Sequence, residues 1–226
     1  MAGSLACAVH GRRYGRCMAD PIAVRPQLTR PVAPDYEPVQ LHPEVFSDRQ
    51  CDRIIELGSS LPADEAGLEG AEGESTNDES LRRSRTSWIP FDESSEWIYR
   101  KLATVAERAN RRYRFELTGF EEDLQFTTYD RPGAFYTWHQ DGLDATVANR
   151  KLSLVVQLSD PSTYEGGELE VFATAEHAVR DGSGADPSAA RGTVVVFPSF
   201  ELHRVCPLRS GVRHSLVSWV SGPPFS

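Results

Sequence analysis

Lys151-Leu152-Ser153-Leu154-Val155-Val156-Gln157-Leu158-Ser159 reads as a β-strand with two unlike faces. Side chains two apart along a strand share a face. Leu152, Leu154, Val156 and Leu158 therefore form one apolar surface, and Ser153, Val155, Gln157 and Ser159 form the other. Enclosed polar groups need hydrogen-bonding partners. An amide such as Gln157 on an inner face calls for one, and a carboxylate could serve.

The pattern extends outward in both directions. Gln125–Tyr129, Ala134–His139, Glu168–Phe172, Thr193–Phe197 and Ser215–Val220 are also short and β-rich. Asp130-Arg131-Pro132-Gly133, Glu165-Gly166-Gly167 and Asp181-Gly182-Ser183-Gly184 separate them as turns. Upstream, Leu81–Phe91 reads as one strand ending at Pro90, and its Arg82, Arg83 and Arg85 could meet an acidic substrate or the acidic loop before it. Two helices are expected. Ser47-Asp48-Arg49-Gln50 is a capping box opening the first, with Ile54, Ile55 and Leu57 as its buried side and Gly58 as its stop. Ser94–Tyr113 is the second, with Trp97, Ile98, Leu102, Val105 and Ala109 on one face. Helices first and short strands after predict a mainly β fold with flanking α: a double-stranded β-helix (jelly roll or cupin-like) buttressed by N-terminal helices.

Other segments are less patterned. Residues 1–34, with Pro21, Pro26, Pro31 and Pro34, read as a flexible N-terminal arm, and Met18 offers an alternative start. Residues 64–80 hold seven carboxylates and no base, an acidic loop or lid.

Composition excludes several classes. A net charge of −9 disfavours nucleic acid as a partner, since phosphate binding needs a basic surface. No run approaches the roughly 18 apolar residues of a membrane span, and the first residues lack a signal-peptide core. Cys7, Cys17, Cys51 and Cys206 show no CxxC spacing, which argues against a structural zinc site or a disulfide framework. A reducing cytoplasm is the expected setting, with a small-molecule or peptide substrate and an oligomeric state that nothing here specifies.

His139-Gln140-Asp141 is the main chemical signal. At a strand end its imidazole and carboxylate can converge on one cation, and His203, beyond the strand Val194–Phe197, could be the third ligand. Two His and one carboxylate suit non-haem Fe(II), which keeps positions open for O2 and a co-substrate. Zinc is the rival metal, but no HExxH helix supports it. Arg213 and Ser215 precede the last apolar strand and can face the same way. A guanidinium binds a carboxylate through two parallel hydrogen bonds, so the pair makes a clamp for the distal carboxylate of 2-oxoglutarate. Tyr129, ten residues before His139, could reach the same acid. His214 would point away, as a packing residue.

The motifs Tyr129-Asp130-Arg131-Pro132-Gly133, Phe135-Tyr136-Thr137-Trp138-His139-Gln140-Asp141, Leu152 to Ser159, Tyr164 to Leu169, Gly192 to His203 and Arg213 to Trp219 occur in order. Together they resemble the Fe(II)/2-oxoglutarate-dependent oxygenase superfamily, in its prolyl 4-hydroxylase-like, PKHD-type branch. The resemblance is close from Tyr129 to Pro223 and loose over residues 40–128. It implies a dioxygenase domain over 35–226, His139, Asp141 and His203 as iron ligands, Arg213 as the co-substrate anchor and Tyr129 as a hydrogen-bond donor to it. It implies Fe(II), with 2-oxoglutarate and O2 as co-substrates and ascorbate as a candidate reductant. Gln157 stands where prolyl hydroxylases use a Tyr, so its role departs from the pattern. Asp141 stands where related halogenases have a small residue, which points to hydroxylation or another oxidation. The 64–80 loop, the Leu81–Phe91 strand and the 142–150 segment are candidate walls for substrate, with Trp138, Arg83, Arg85 and Arg204 as candidate contacts. A non-catalytic metal- or ligand-binding jelly-roll module and a zinc-dependent cupin-like isomerase or hydrolase are the alternatives.

Overall fold

The computed structural model describes residues 37–65, 68–69, 75–76, 80–142, 147–172 and 187–224. The expected arm over residues 1–34 lies outside them, as do most of the 64–80 loop and residues 143–146. The strands are β1 (Gln40–His42), β2 (Asp64–Glu65), β3 (Leu68–Glu69), β4 (Ser75–Thr76), β5 (Arg82–Arg83), β6 (Arg85–Ile89), β7 (Leu124–Tyr129) and β8 (Phe135–His139). They continue with β9 (Arg150–Gln157), β10 (Tyr164–Gly166), β11 (Leu169–Val171), β12 (Val194–Pro198), β13 (His203–Val205), β14 (Leu208–Gly211) and β15 (Arg213–Ser221). The helices are α1 (Asp48–Ser60) and α2 (Glu96–Tyr113).

A seven-stranded sheet in the order β1-β12-β9-β15-β7-β6-β2 faces a four-stranded sheet in the order β11-β13-β8-β5. The expected division of β9 holds. Leu152, Leu154 and Val156 join Leu124, Phe126, Val194, Val196, Leu216 and Val220 in one core with Ile54 of α1 and with Ile98, Leu102 and Ala109 of α2. Both helices thus cover the outer side of the large sheet. The opposite face looks inward, where Val155, Val195 and Phe197 meet Val171 of the small sheet. In β7 and β9 the odd and even positions differ in polarity, whereas β12 is apolar on both faces.

The helices form for the local reasons expected, with one correction. The Ser47 side chain accepts from the Gln50 amide, and the Gln50 side chain accepts from the Ser47 amide at 3.0 Å, completing the capping box. Gly58 does not stop α1, which runs on to Ser60. It is buried, and a Cβ there would fall 2.3 Å from the Phe126 ring. Close approach of α1 to β7, not termination, calls for glycine. In α2, Ile98, Leu102, Val105 and Ala109 are buried as expected. Trp97 is only half-buried and packs edge-on against Phe46.

A second correction concerns Leu81–Phe91. It is two strands: β5 pairs with β8 in the small sheet, and β6 pairs with β7 in the large one. The chain passes between sheets at Ser84, so the segment closes one side of the gap between them. Among the described residues no helix is long and apolar enough to cross a membrane.

Candidate metal centre

Strand pairing assembles the triad. His203 opens β13 directly opposite His139, the last residue of β8. Asp141 follows two residues on. Its amide and that of Gly142 both donate to the Ser199 carbonyl, at 2.9 and 3.0 Å. Gly142 has no room for a side chain, since a Cβ would lie 2.8 Å from the Arg150 carbonyl oxygen. The turn thereby folds Asp141 back between the two imidazoles. His139 Nε2 lies 3.6 Å from Asp141 Oδ1, and His203 Nε2 lies 3.5 Å from Oδ2. One donor atom from each residue falls within 4.8 Å of the others.

The hydrogen bonds behind these ligands fix their chemistry. His139 Nδ1 is 2.8 Å from the Thr137 carbonyl oxygen, and His203 Nδ1 is 2.9 Å from that of Glu201. A carbonyl can only accept, so both Nδ1 atoms carry a proton and both Nε2 atoms face Asp141. Burial, aided by His203, pushes the His139 pKa down to about 4, leaving that ring neutral near pH 7. Burial alone would raise the Asp141 pKa. His203 and His139, with the Trp219 indole and the Ser153 hydroxyl, outweigh it and hold the carboxyl at about 2. Ser153 donates to Asp141 Oδ2 at 2.7 Å and lies 3.0 Å from the Ser199 hydroxyl. These serines were not singled out by sequence reasoning, although Ser153 does lie on the inner face of β9.

The residues expected to hold the co-substrate meet on the large sheet. Arg213 opens β15, opposite Tyr129 on β7, and Ser215 lies opposite both Thr127 on β7 and Gln157 on β9. Arg213 is 1% exposed, and its guanidinium stands 5.4 Å from the Tyr129 ring centre. Nη2 donates to Gln157 Oε1 at 2.9 Å. Gln157 is therefore in place as the partner of Arg213. The other terminal nitrogen, Nη1, is buried and has no hydrogen-bond partner among the described residues. Gly167, at φ +69°, passes so close that a Cβ would sit 3.1 Å from Arg213 Cδ. His214 points away, stacked on Phe126 with ring centres 5.3 Å apart.

A narrow cavity over the triad is lined by Tyr129, Arg213 and Ser215 at the large sheet, and by Arg82, Tyr136 and Trp219 elsewhere. The expected substrate contacts Trp138, Arg83, Arg85 and Arg204 are not among its walls. Trp138 and Arg204 stack on each other, Arg204 pairs with Glu170, and Arg85 pairs with Asp130. Strand alternation explains the exchange: Arg82 and Tyr136 point inward where their neighbours point out.

A family model described as the 2OG-Fe(II) oxygenase superfamily matches residues 124–221, the segment that holds the triad and Arg213. Over that segment the chain is similar to the 2OG-Fe(II) oxygenase superfamily. Among curated relatives, a PKHD-type hydroxylase of Synechococcus sp. (strain CC9311) is 32% identical over 86 residues, covering 38% of this chain and 36% of that one. A PKHD-type hydroxylase of Hyphomonas neptunium is 42% identical over 69 residues, covering 30% of this chain and 28% of that one. The matched segment thus spans about a third of these relatives. Two solved structures share the fold. A Pseudomonas putida prolyl-4-hydroxylase has a TM-score of 0.57 at 24% identity, covering 82% of this chain and 93% of its own. A prolyl hydroxylase from Trichoplax adhaerens has a TM-score of 0.62 at 18% identity, covering 81% of this chain and 83% of its own.

The side chains fit the groups that this superfamily's description names. Two imidazoles and a carboxylate form a donor set suited to Fe(II). The unpartnered Arg213 Nη1 fits an incoming carboxylate, because a buried guanidinium nitrogen without an acceptor is costly.

Proposed function

We propose that this protein is an Fe(II)- and 2-oxoglutarate-dependent dioxygenase that hydroxylates a C–H bond of a free amino acid or of a residue within a peptide. The observation that carries this reading is the buried, half-satisfied Arg213 facing the same cavity as His139, Asp141 and His203. With 2-oxoglutarate and O2, the iron of such sites supplies C–H oxidation coupled to release of succinate and CO2.

The chain's own residues bind, orient and exclude water. His139, Asp141 and His203 hold the metal, and Ser153 fixes the carboxylate's orientation. Gln157 holds Arg213 Nη2, which aims Nη1 at the distal carboxylate of 2-oxoglutarate. The Tyr129 and Ser215 hydroxyls supply further donors to that acid. Val155, Val217 and Leu169 wall the cavity with apolar surface, which strengthens each charged contact by keeping water out. The partners are then a small molecule or peptide, with no nucleic acid and no membrane. The free thiols of Cys51 and Cys206 are compatible with a reducing cytoplasm.

The test is succinate formation from 2-oxoglutarate under Fe(II), O2 and ascorbate, followed by mass spectrometry of candidate amino acids and peptides for one added oxygen atom. Succinate is expected to form above the level of an Asp141→Ala control. No excess over that control, or activity that follows zinc in place of iron, rejects the reading.

A further inference from the structure

Arg82 is the second buried guanidinium in the cavity, and no carboxylate among the described residues pairs with it. It is 7% exposed. Nε donates to Ser84 Oγ at 2.8 Å, and Nη2 donates to Gln125 Oε1 at 3.0 Å and to Thr127 Oγ1 at 3.5 Å. The guanidinium lies 4.5 Å over the Tyr136 ring, which in turn stacks on His139 with centres 3.5 Å apart. Every one of these contacts is neutral. Other arginines of the fold have acids: Arg85 pairs with Asp130, Arg150 with Glu122, Arg191 with Asp52 and Arg204 with Glu170. A buried cation without an anion is unfavourable unless a ligand completes it.

The co-substrate does not fill this role. Its distal carboxylate is assigned to Arg213, level with Tyr129 on β7. Its chelating end is met by the metal. Arg82 is anchored instead at Gln125 and Thr127, about 13 Å and about 7 Å along the strand from Tyr129. The cation beside Tyr136 therefore answers to a different anion in the same cavity.

We infer that Arg82 binds a carboxylate of the substrate, so that this site takes an acid-bearing substrate in preference to its neutral counterpart. The inference rests on the dioxygenase reading above. The carboxylate has two possible sources: the α-carboxylate of a free amino acid, or the side chain of an aspartyl or glutamyl residue.

The experiment is isothermal titration of the full chain loaded with Mn(II) and 2-oxoglutarate. One arm compares a panel of free amino acids with their carboxamides. The other compares N-acetylated aspartate and glutamate amides with their asparagine and glutamine counterparts. In at least one arm the acid binds about tenfold or more tightly than its amide, the scale of a charge-assisted contact. That ratio collapses towards one in Arg82→Gln and is partly kept in Arg82→Lys. Equal binding of acid and amide in both arms, or a preference that survives Arg82→Gln, overturns the inference while leaving the dioxygenase reading intact. Failure of the wild-type chain to hold Mn(II) and 2-oxoglutarate at all removes both.

Discussion

At the scale of single residues, the proposed metal centre depends on side chains outside the triad. Ser153 is the clearest case, since its hydroxyl holds one Asp141 oxygen at 2.7 Å. Ser153→Ala should lower Mn(II) affinity by roughly tenfold or more, as loss of a ligand's hydrogen-bond partner commonly does. Calorimetric titration of the metal checks this, and unchanged affinity would show that the backbone alone orients Asp141. Gln157→Leu should weaken 2-oxoglutarate binding while metal affinity holds, because Arg213 loses the acceptor that aims it. The buried histidine gives a pH dependence with a definite sign. Unfolded His139 titrates near its ordinary value of 6.5, but folded His139 does so at about 4. Between these values only the unfolded chain takes up the proton, so stability is full above the upper value and falls towards the lower one. His42 and His214 are lowered by burial as well and act in the same direction. The metal-free protein should therefore show a lower urea midpoint at about pH 5 than at about pH 7. A midpoint that stays level would contradict a buried, neutral His139.

At the scale of elements, α1 and β7 are fitted to each other by one glycine. Alanine at Gly58 would gain about 1 kcal/mol of helix propensity. Against this, its Cβ would enter the Phe126 ring at 2.3 Å, and overpacking typically costs about 1–3 kcal/mol. Gly58→Ala should therefore destabilise the fold in urea denaturation, and a neutral or stabilising result would mean that α1 shifts freely on the sheet. The same position shows what periodicity hides. A glycine near the end of an apolar helical pattern has the same sequence signature whether it terminates the helix or admits a neighbour. Similarly, Leu81–Phe91 has one continuous β-rich pattern, and nothing local marks Ser84 as the point where the chain changes sheets. The strands β1, β10, β13 and β14, of three or four residues each, escaped sequence reading, whereas β11, equally short, was read within Glu168–Phe172. A long strand such as β9 was legible because Leu152, Leu154 and Val156 make one face apolar over most of its length.

At the scale of the whole molecule, the centre ties the described sheets together. His139 and His203 belong to the small sheet, while Asp141 is held by Ser153 of the large sheet and by Ser199 just beyond β12. Metal binding to the folded state should therefore raise global stability. At a free Mn(II) concentration of 100 times its dissociation constant, the gain should be about 2.7 kcal/mol. A thermal midpoint unmoved by Mn(II) would mean that the triad does not bind it. The amino-acid sequence by itself determined the alternation that makes a two-sheet fold, the capping box, and the local pairs His139 with Asp141 and Arg213 with Ser215. Each of these is a relation between residues a few positions apart, set by the period of a strand or the first turn of a helix. Only the tertiary structure set His203 opposite His139, brought Gln157 to Arg213, and turned Arg82 inward while Arg83 and Arg85 turned out. Those relations depend on which strands pair and in what register, and register is a property of the assembled sheets that no single strand contains.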